Sequence, residues 1–278
     1  MPAERIAESL AFINWTVLTT LAVGAFGAVV AGRFLTAATK GYLAFTAFSA
    51  AAFGLLAFLT DGGLPALSPE LAVRADPAWE LPRRLALAAL PVIAVLYGVL
   101  LARGQRATPV AAAGLTAAAL ALVAGAFSWG GGLLESGLLA IELATLSIAL
   151  GGVWASMILG HWYLVTPKLP EAPLVRFSRW LLLGLAVQLG LFVVWIGLGA
   201  GPAGAPAFAA LVGPWALFVW LRLLVGLVFP LIVSWAAIQT ARTRSMESAT
   251  GLLYINVGTI AAGTILAAGL YFGAGLLV

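Results

Sequence analysis

The chain contains no cysteine, so disulfides, thiolate metal sites and a cysteine nucleophile are excluded. It has one histidine, His161, which excludes a bis-histidine haem built within the chain. Its only two aspartates, Asp61 and Asp76, both fall in the segment 60–84 that follows the second apolar run, which argues against a paired-aspartate site for Mg²⁺-diphosphate. There is no P-loop, no GxGxxG after a strand and no HExxH. No apolar run holds the lysine that a retinal Schiff base needs. Charge of either sign is scarce, at 9% of 278 residues. A soluble domain would carry about 25%.

What fills the chain is apolar: 63% of residues are hydrophobic and the mean hydropathy is +1.10. Crossing a hydrocarbon core of ~30 Å takes about 20 mostly apolar residues. Eight runs qualify, at 11–32, 42–59, 85–101, 110–127, 138–165, 181–198, 215–238 and 251–272. Their unbroken length predicts helices, since barrel strands read as short alternating segments. The fold class is therefore an all-α integral membrane protein with the lipid bilayer as its first partner. The start carries Glu4 and Glu8 and lacks the basic region of a signal peptide, so the first run is expected to be retained as a span.

Charge is distributed by side. The connections after runs one, three, five and seven hold Arg33, Lys40, Arg103, Arg106, Lys168, Arg176, Arg179, Arg242 and Arg244. The opposite side holds Glu4, Glu8, Asp61, Glu70, Asp76, Glu80 and Glu135, with Arg5, Arg74, Arg83 and Arg84. Basic residues stay cytoplasmic, which predicts a cytoplasmic (inner) membrane protein with both termini outside. The net charge of +4 lies in these short connections and signals no nucleic-acid partner. The segment 60–84 is then an external loop, the only sizeable one expected. Ser68 is placed to cap a short helix in it, with Leu71 turned inward.

The chain also repeats. Arg83 stands eight residues before Pro91, and Arg222 eight before Pro230. Arg103 and Arg242 each follow their proline by twelve. Glu8-Ser9 opens a run that ends at Gly32-Arg33, and Glu135-Ser136 opens one that ends at Gly160-His161. The pattern predicts an internal duplication giving two tandem, parallel-oriented four-helix bundles, 1–130 and 131–278. Under it Trp15 stands near Glu142, and Arg33 where the second copy has His161.

The candidate functional residues lie mostly in the second half. Glu142 is a carboxylate inside an apolar run, which costs ~3 kcal/mol and calls for a partner or water. Arg222 is at a compatible depth and is the expected partner, as a structural ion pair or as part of a proton relay or ligand site. Arg83 is expected to reach the outer surface. Glu142, Thr145, Ala149, Gly152, Ser156, Gly160 and Tyr163 share one helix face, which suits close helix packing or the lining of a cavity. His161 lies ~28 Å from Glu142 along a straight helix, too far to share one small site. With Trp162 and Tyr163 it has three readings: an interfacial aromatic belt, a single-histidine haem ligand with Met157 or Met246 as the other axial group, or a hydrogen-bond donor to a quinone. Gln188, Tyr254 and Asn256 complete the candidate cofactor site, and Gln239 is a further polar residue of the same half. Pro91 and Pro230 are expected to kink corresponding helices, a transporter-like feature.

Two four-span bundles in tandem look like the quinone-binding membrane subunits of polysulfide-reductase-type oxidoreductases, and like haem A synthase. The resemblance covers the chain as topology and carries no residues. The paired histidines of haem A synthase are missing here. The leading expectation is a membrane subunit of a respiratory complex that binds a quinone at His161, with other membrane or peripheral subunits as partners. A small-solute carrier or channel using Glu142 and Arg222 is the alternative. A structural or assembly subunit is a third reading.

Overall fold

Hydrocarbon offers no partner to backbone N–H and C=O groups, so each apolar run must satisfy its own, and closes as a helix. The computed structural model, which describes residues 1–166 and 168–278, has eight helices long and apolar enough to span a membrane. A short helix α1 (Pro2–Glu8) precedes α2 (Leu10–Leu35), α3 (Lys40–Gly62), α4 (Glu80–Ala102), α5 (Thr108–Trp129), α6 (Leu133–Val165) and α7 (Ala172–Leu198). The seventh span is composite: α8 (Ala216–Leu223), a π-helical turn Leu224–Val228, and α9 (Phe229–Arg242). The last is α10 (Met246–Ala274). The protein is thus an all-α, multi-pass membrane protein.

Local chemistry sets the ends. Thr39 caps α3 by accepting the Tyr42 N–H. Pro109 and Pro173 sit in the first turns of α5 and α7, where no N–H is needed. Gly199 and Gly275 end α7 and α10 at φ 62° and 66°, in the left-handed conformation that lacks strain only without a Cβ.

Several expectations are corrected. Helix α3 continues past residue 59, so Asp61 lies inside it and is buried rather than in the loop. Helix α7 begins at Ala172, ahead of its apolar run. No helix forms at Ser68, where the chain makes a turn, although Leu71 is buried as expected. Instead Asp76 caps a 3₁₀ turn, Pro77–Trp79, by accepting the Ala78 N–H at 3.0 Å. The loop 60–84 is not the only sizeable one. Residues 199–215, made of Gly, Ala, Pro and apolar residues with no charge, also leave the helices. The two prolines are not accommodated alike. Helix α4 runs unbroken through Pro91, whereas Pro230 follows the π-turn, whose wider winding absorbs the missing donor.

Spans α2 to α5 pack as one ring of neighbours, and α6 to α10 as another. The rings meet where α2 lies against α6, with α5 also touching α6 and α10 also touching α2. The crossing of α2 and α6 is set by Gly24 and Gly151. A Cβ on Gly24 would strike the Ser147 carbonyl, and one on Gly151 would strike the backbone of Gly24 and Ala25. Only glycines allow this approach.

Candidate functional site

The polar groups inside the spans separate into those satisfied locally and those that are not. Thr16, Thr20, Thr46, Ser147, Ser156, Thr250 and Thr264 each donate to a carbonyl one turn back on their own helix. Such hydroxyls are spent within the backbone and offer a ligand little.

The charged groups form a seam at the acidic-loop end. Arg83, expected at the surface, is buried. Its Nε donates to Asp61 Oδ1 at 2.6 Å and its Nη1 to Ser128 Oγ at 2.7 Å. Trp15 Nε1 donates to the same Oδ1 at 2.9 Å. The Arg83 guanidinium lies 4.5 Å from the centre of the Trp129 ring, a favourable cation–π contact. In this way α2, α3, α4 and α5 converge on one ion pair.

The second half holds its own. Glu142 on α6 is 5% exposed and Arg222 on α8 is 1% exposed. Arg222 Nη2 stands 3.7 Å from Glu142 Oε1, close enough for an ion pair and too far for a hydrogen bond. Arg222 Nε donates instead to the main-chain oxygen of Val278, the last residue, at 3.2 Å. The arginine lies against Gly226 and Gly263, whose absent side chains make its room, two residues before the π-turn that contains Gly226. Asp61 Oδ2 and Glu142 Oε1 are both buried without a hydrogen-bond partner among the described residues.

The two pairs are joined across the halves by aromatic rings. Trp15 meets Trp129 edge-on at 4.6 Å, and the Trp129 carbonyl accepts the Tyr271 hydroxyl at 2.9 Å. Trp15, Trp129, Tyr271 and Glu142 line a small cavity of ≈ 10 Å³. That is about the least volume that admits one water.

The other candidates lie elsewhere and do not converge. His161 is exposed at the basic-side end of α6. Trp162 packs over Gly41 and toward Phe45, 6.5 Å between ring centres. Tyr163 is buried and donates to the Pro170 carbonyl at 2.5 Å. Successive helical residues point ~100° apart, so the three rings face three different surroundings. Asn256 is buried in α10, donating to the Pro230 carbonyl at 3.2 Å and to Ser234 Oγ at 2.8 Å. It thereby satisfies backbone near the composite span. Gln188 is buried in α7 with Nε2 unpartnered among the described residues, while Tyr254 is 51% exposed. Of the shared face on α6, Gly160 abuts Thr250 and Gly152 lines a groove toward α7. Thr145, Ala149 and Ser156 of that face are buried within the bundle.

Asp61, Ser128, Trp129 and Tyr271 are site residues that sequence reasoning misses. One signal was present: Asp61 lies just past an apolar run, and Arg83 just before the next. No family model matches the chain, and no curated protein matches it.

Proposed function

We propose that the protein is a proton-handling carrier whose working centre is the Glu142–Arg222 pair. The carrying observation is the geometry of that pair. It is buried, 3.7 Å apart, with no hydrogen bond between the charges, beside a π-turn and a small cavity. Ionisable groups inside a membrane are costly, and are kept where they serve a path for charge or solute. A pair needed only for packing would close to hydrogen-bond contact, as Arg83 and Asp61 do. Proton uptake by Glu142 would release Arg222 from its attraction. The π-turn, which differs from an α-helix by one residue, supplies a helix segment able to change register.

The experiment is proton flux into liposomes holding the purified chain, followed by an internal pH dye under an imposed potential. Flux well above that of empty liposomes, lost in Glu142→Gln, supports the proposal. Wild-type liposomes as proton-tight as empty ones contradict it.

A second reading, a quinone-binding subunit of a respiratory complex, is supported by the exposure of His161 at the end of α6. There a lipophilic ring arriving through the bilayer meets a donor directly. A quinone that co-purifies with the chain and is lost in His161→Ala supports this reading. Haem held by His161 is a weaker form of it, which a Soret band would support.

Internal duplication is also part of the proposal. Gly24 follows Ser9 by the same number of residues as Gly151 follows Ser136, and these two glycines meet. The α5–α6 and α2–α10 contacts are the pair that a twofold axis through that point would exchange. Units 1–130 and 131–278 would then be copies, oriented alike with both termini outside the inner membrane.

A further inference from the structure

The α2–α6 crossing has two flanks, and they are filled differently. Gly27 and Trp154 each stand three residues beyond the glycine of the crossing on their own helix. On the flank toward α3, Trp154 meets Phe53 edge-on at 5.1 Å, and Tyr42 donates to the Ala155 carbonyl at 3.0 Å. That flank is closed. On the other flank the corresponding residue is Gly27, and a Cβ there would meet nothing within 4 Å. The result is a groove of ≈ 460 Å³ between α2, α5, α6 and α7. Its walls include Gly27, Ala31, Leu122, Ala144, Phe177 and Trp180. Its one hydroxyl, Ser147, is already donated to the Leu143 carbonyl. The groove therefore takes hydrocarbon.

Its length and its mouth narrow the occupant. Along α2 it reaches Ala31, seven residues to the basic side of the Gly24–Gly151 crossing, and along α6 it reaches Ala144, seven residues to the other side, about 20 Å in all at 1.5 Å per residue. The groove reaches the basic-side ends of α2 and α7. There Arg176, exposed and on the same face of α7 as Trp180, donates through Nη1 to the Leu35 carbonyl at the end of α2. This bond holds the guanidinium one turn beyond Ala31, the last residue of α2 that lines the groove. Neither Arg176 nor Arg179 is in an ion pair among the described residues. An apolar slot about 20 Å long, with an arginine outside any ion pair one turn beyond its basic-side end, matches an acyl chain joined to a negative headgroup.

We propose that this groove holds an acyl chain of an anionic phospholipid whose phosphate is bound by Arg176. The site is independent of the Glu142–Arg222 centre and stands whatever that centre does.

The test is electron paramagnetic resonance of spin-labelled phosphatidylglycerol and phosphatidylcholine, each in vesicles holding the full chain. The wild-type chain should immobilise phosphatidylglycerol about fivefold more favourably than phosphatidylcholine, the preference that one arginine at an anionic surface supports. Arg176→Gln should bring the ratio near one, and Arg176→Lys should retain most of it. Gly27→Trp, which copies the closed flank, should reduce the immobilised fraction of both lipids, with thermal unfolding reporting that it still folds. Gly27→Leu serves where the larger ring prevents folding. Equal immobilisation of the two lipids by the wild-type chain overturns the proposal. So does a preference that survives Arg176→Gln.

Discussion

Arg83 donates its Nε to Asp61 at 2.6 Å, and this bond ties α4 to α3 with Trp15 and Ser128 as further partners. The buried charges of the second half, Arg222 and Glu142, stand 3.7 Å apart. The first pair has the geometry of a structural joint. The second has slack. The two are expected to respond differently to substitution.

Removing one partner of the tight pair leaves a buried charge. Asp61→Ala should cost about 3 kcal/mol or more, read as a large drop in unfolding temperature in detergent. Asp61→Ala combined with Arg83→Leu should recover part of that loss. A single variant as stable as wild type would remove the structural role assigned here.

Trp15→Phe keeps the ring against Trp129 and deletes the indole donor to Asp61. Asp61 Oδ1 keeps its bond from Arg83 Nε, so the expected loss is about 1.5–3 kcal/mol, the worth of one hydrogen bond to a charged group. Trp15→Phe should therefore be milder than Asp61→Ala in the same unfolding assay.

The glycines of α2 should differ sharply over one turn. Gly24→Leu places a side chain into the Ser147 carbonyl and should abolish folded, monodisperse protein. Gly27→Ala points a methyl into open space and should stay within about 0.5 kcal/mol of wild type. Size-exclusion profiles and unfolding temperatures compare the two.

Because the chain lacks cysteine, single cysteines report its orientation without background. Glu70→Cys should react with a membrane-impermeant maleimide from outside intact cells. Gln105→Cys should react only after lysis. The reverse pattern would invert the proposed topology.

The spans were legible because hydrophobic runs of that length have one solution in a bilayer. The basic and acidic sides were legible because short connections keep their charges. The depths of Glu142 and Arg222 could be counted from the ends of their runs. Asp61 could not be placed this way. Hydropathy ends a span at a charge, whereas the helix continues when Arg83 stands ready to neutralise it. Arg83 reads as surface-seeking from the sequence for the same reason: its partner lies on another helix. The start of α7 was hidden by Arg176 and Arg179, which hydropathy counts against a span although helix geometry tolerates them. The π-turn had no legible signal beyond Pro230, since it depends on where Arg222, Gly226 and Gly263 meet. The small face of α6 reads first as packing and second as a cavity wall, and only the neighbouring helices decide between them.

On the proposed function Glu142 takes up and releases a proton within the folded protein. Infrared difference spectroscopy across a pH jump, on the chain in liposomes, tests this most directly. A protonated-carboxyl band should appear on acidification in wild type, persist in Asp61→Asn and be absent in Glu142→Gln. A band unchanged in Glu142→Gln, or no such band in the wild-type protein, contradicts it.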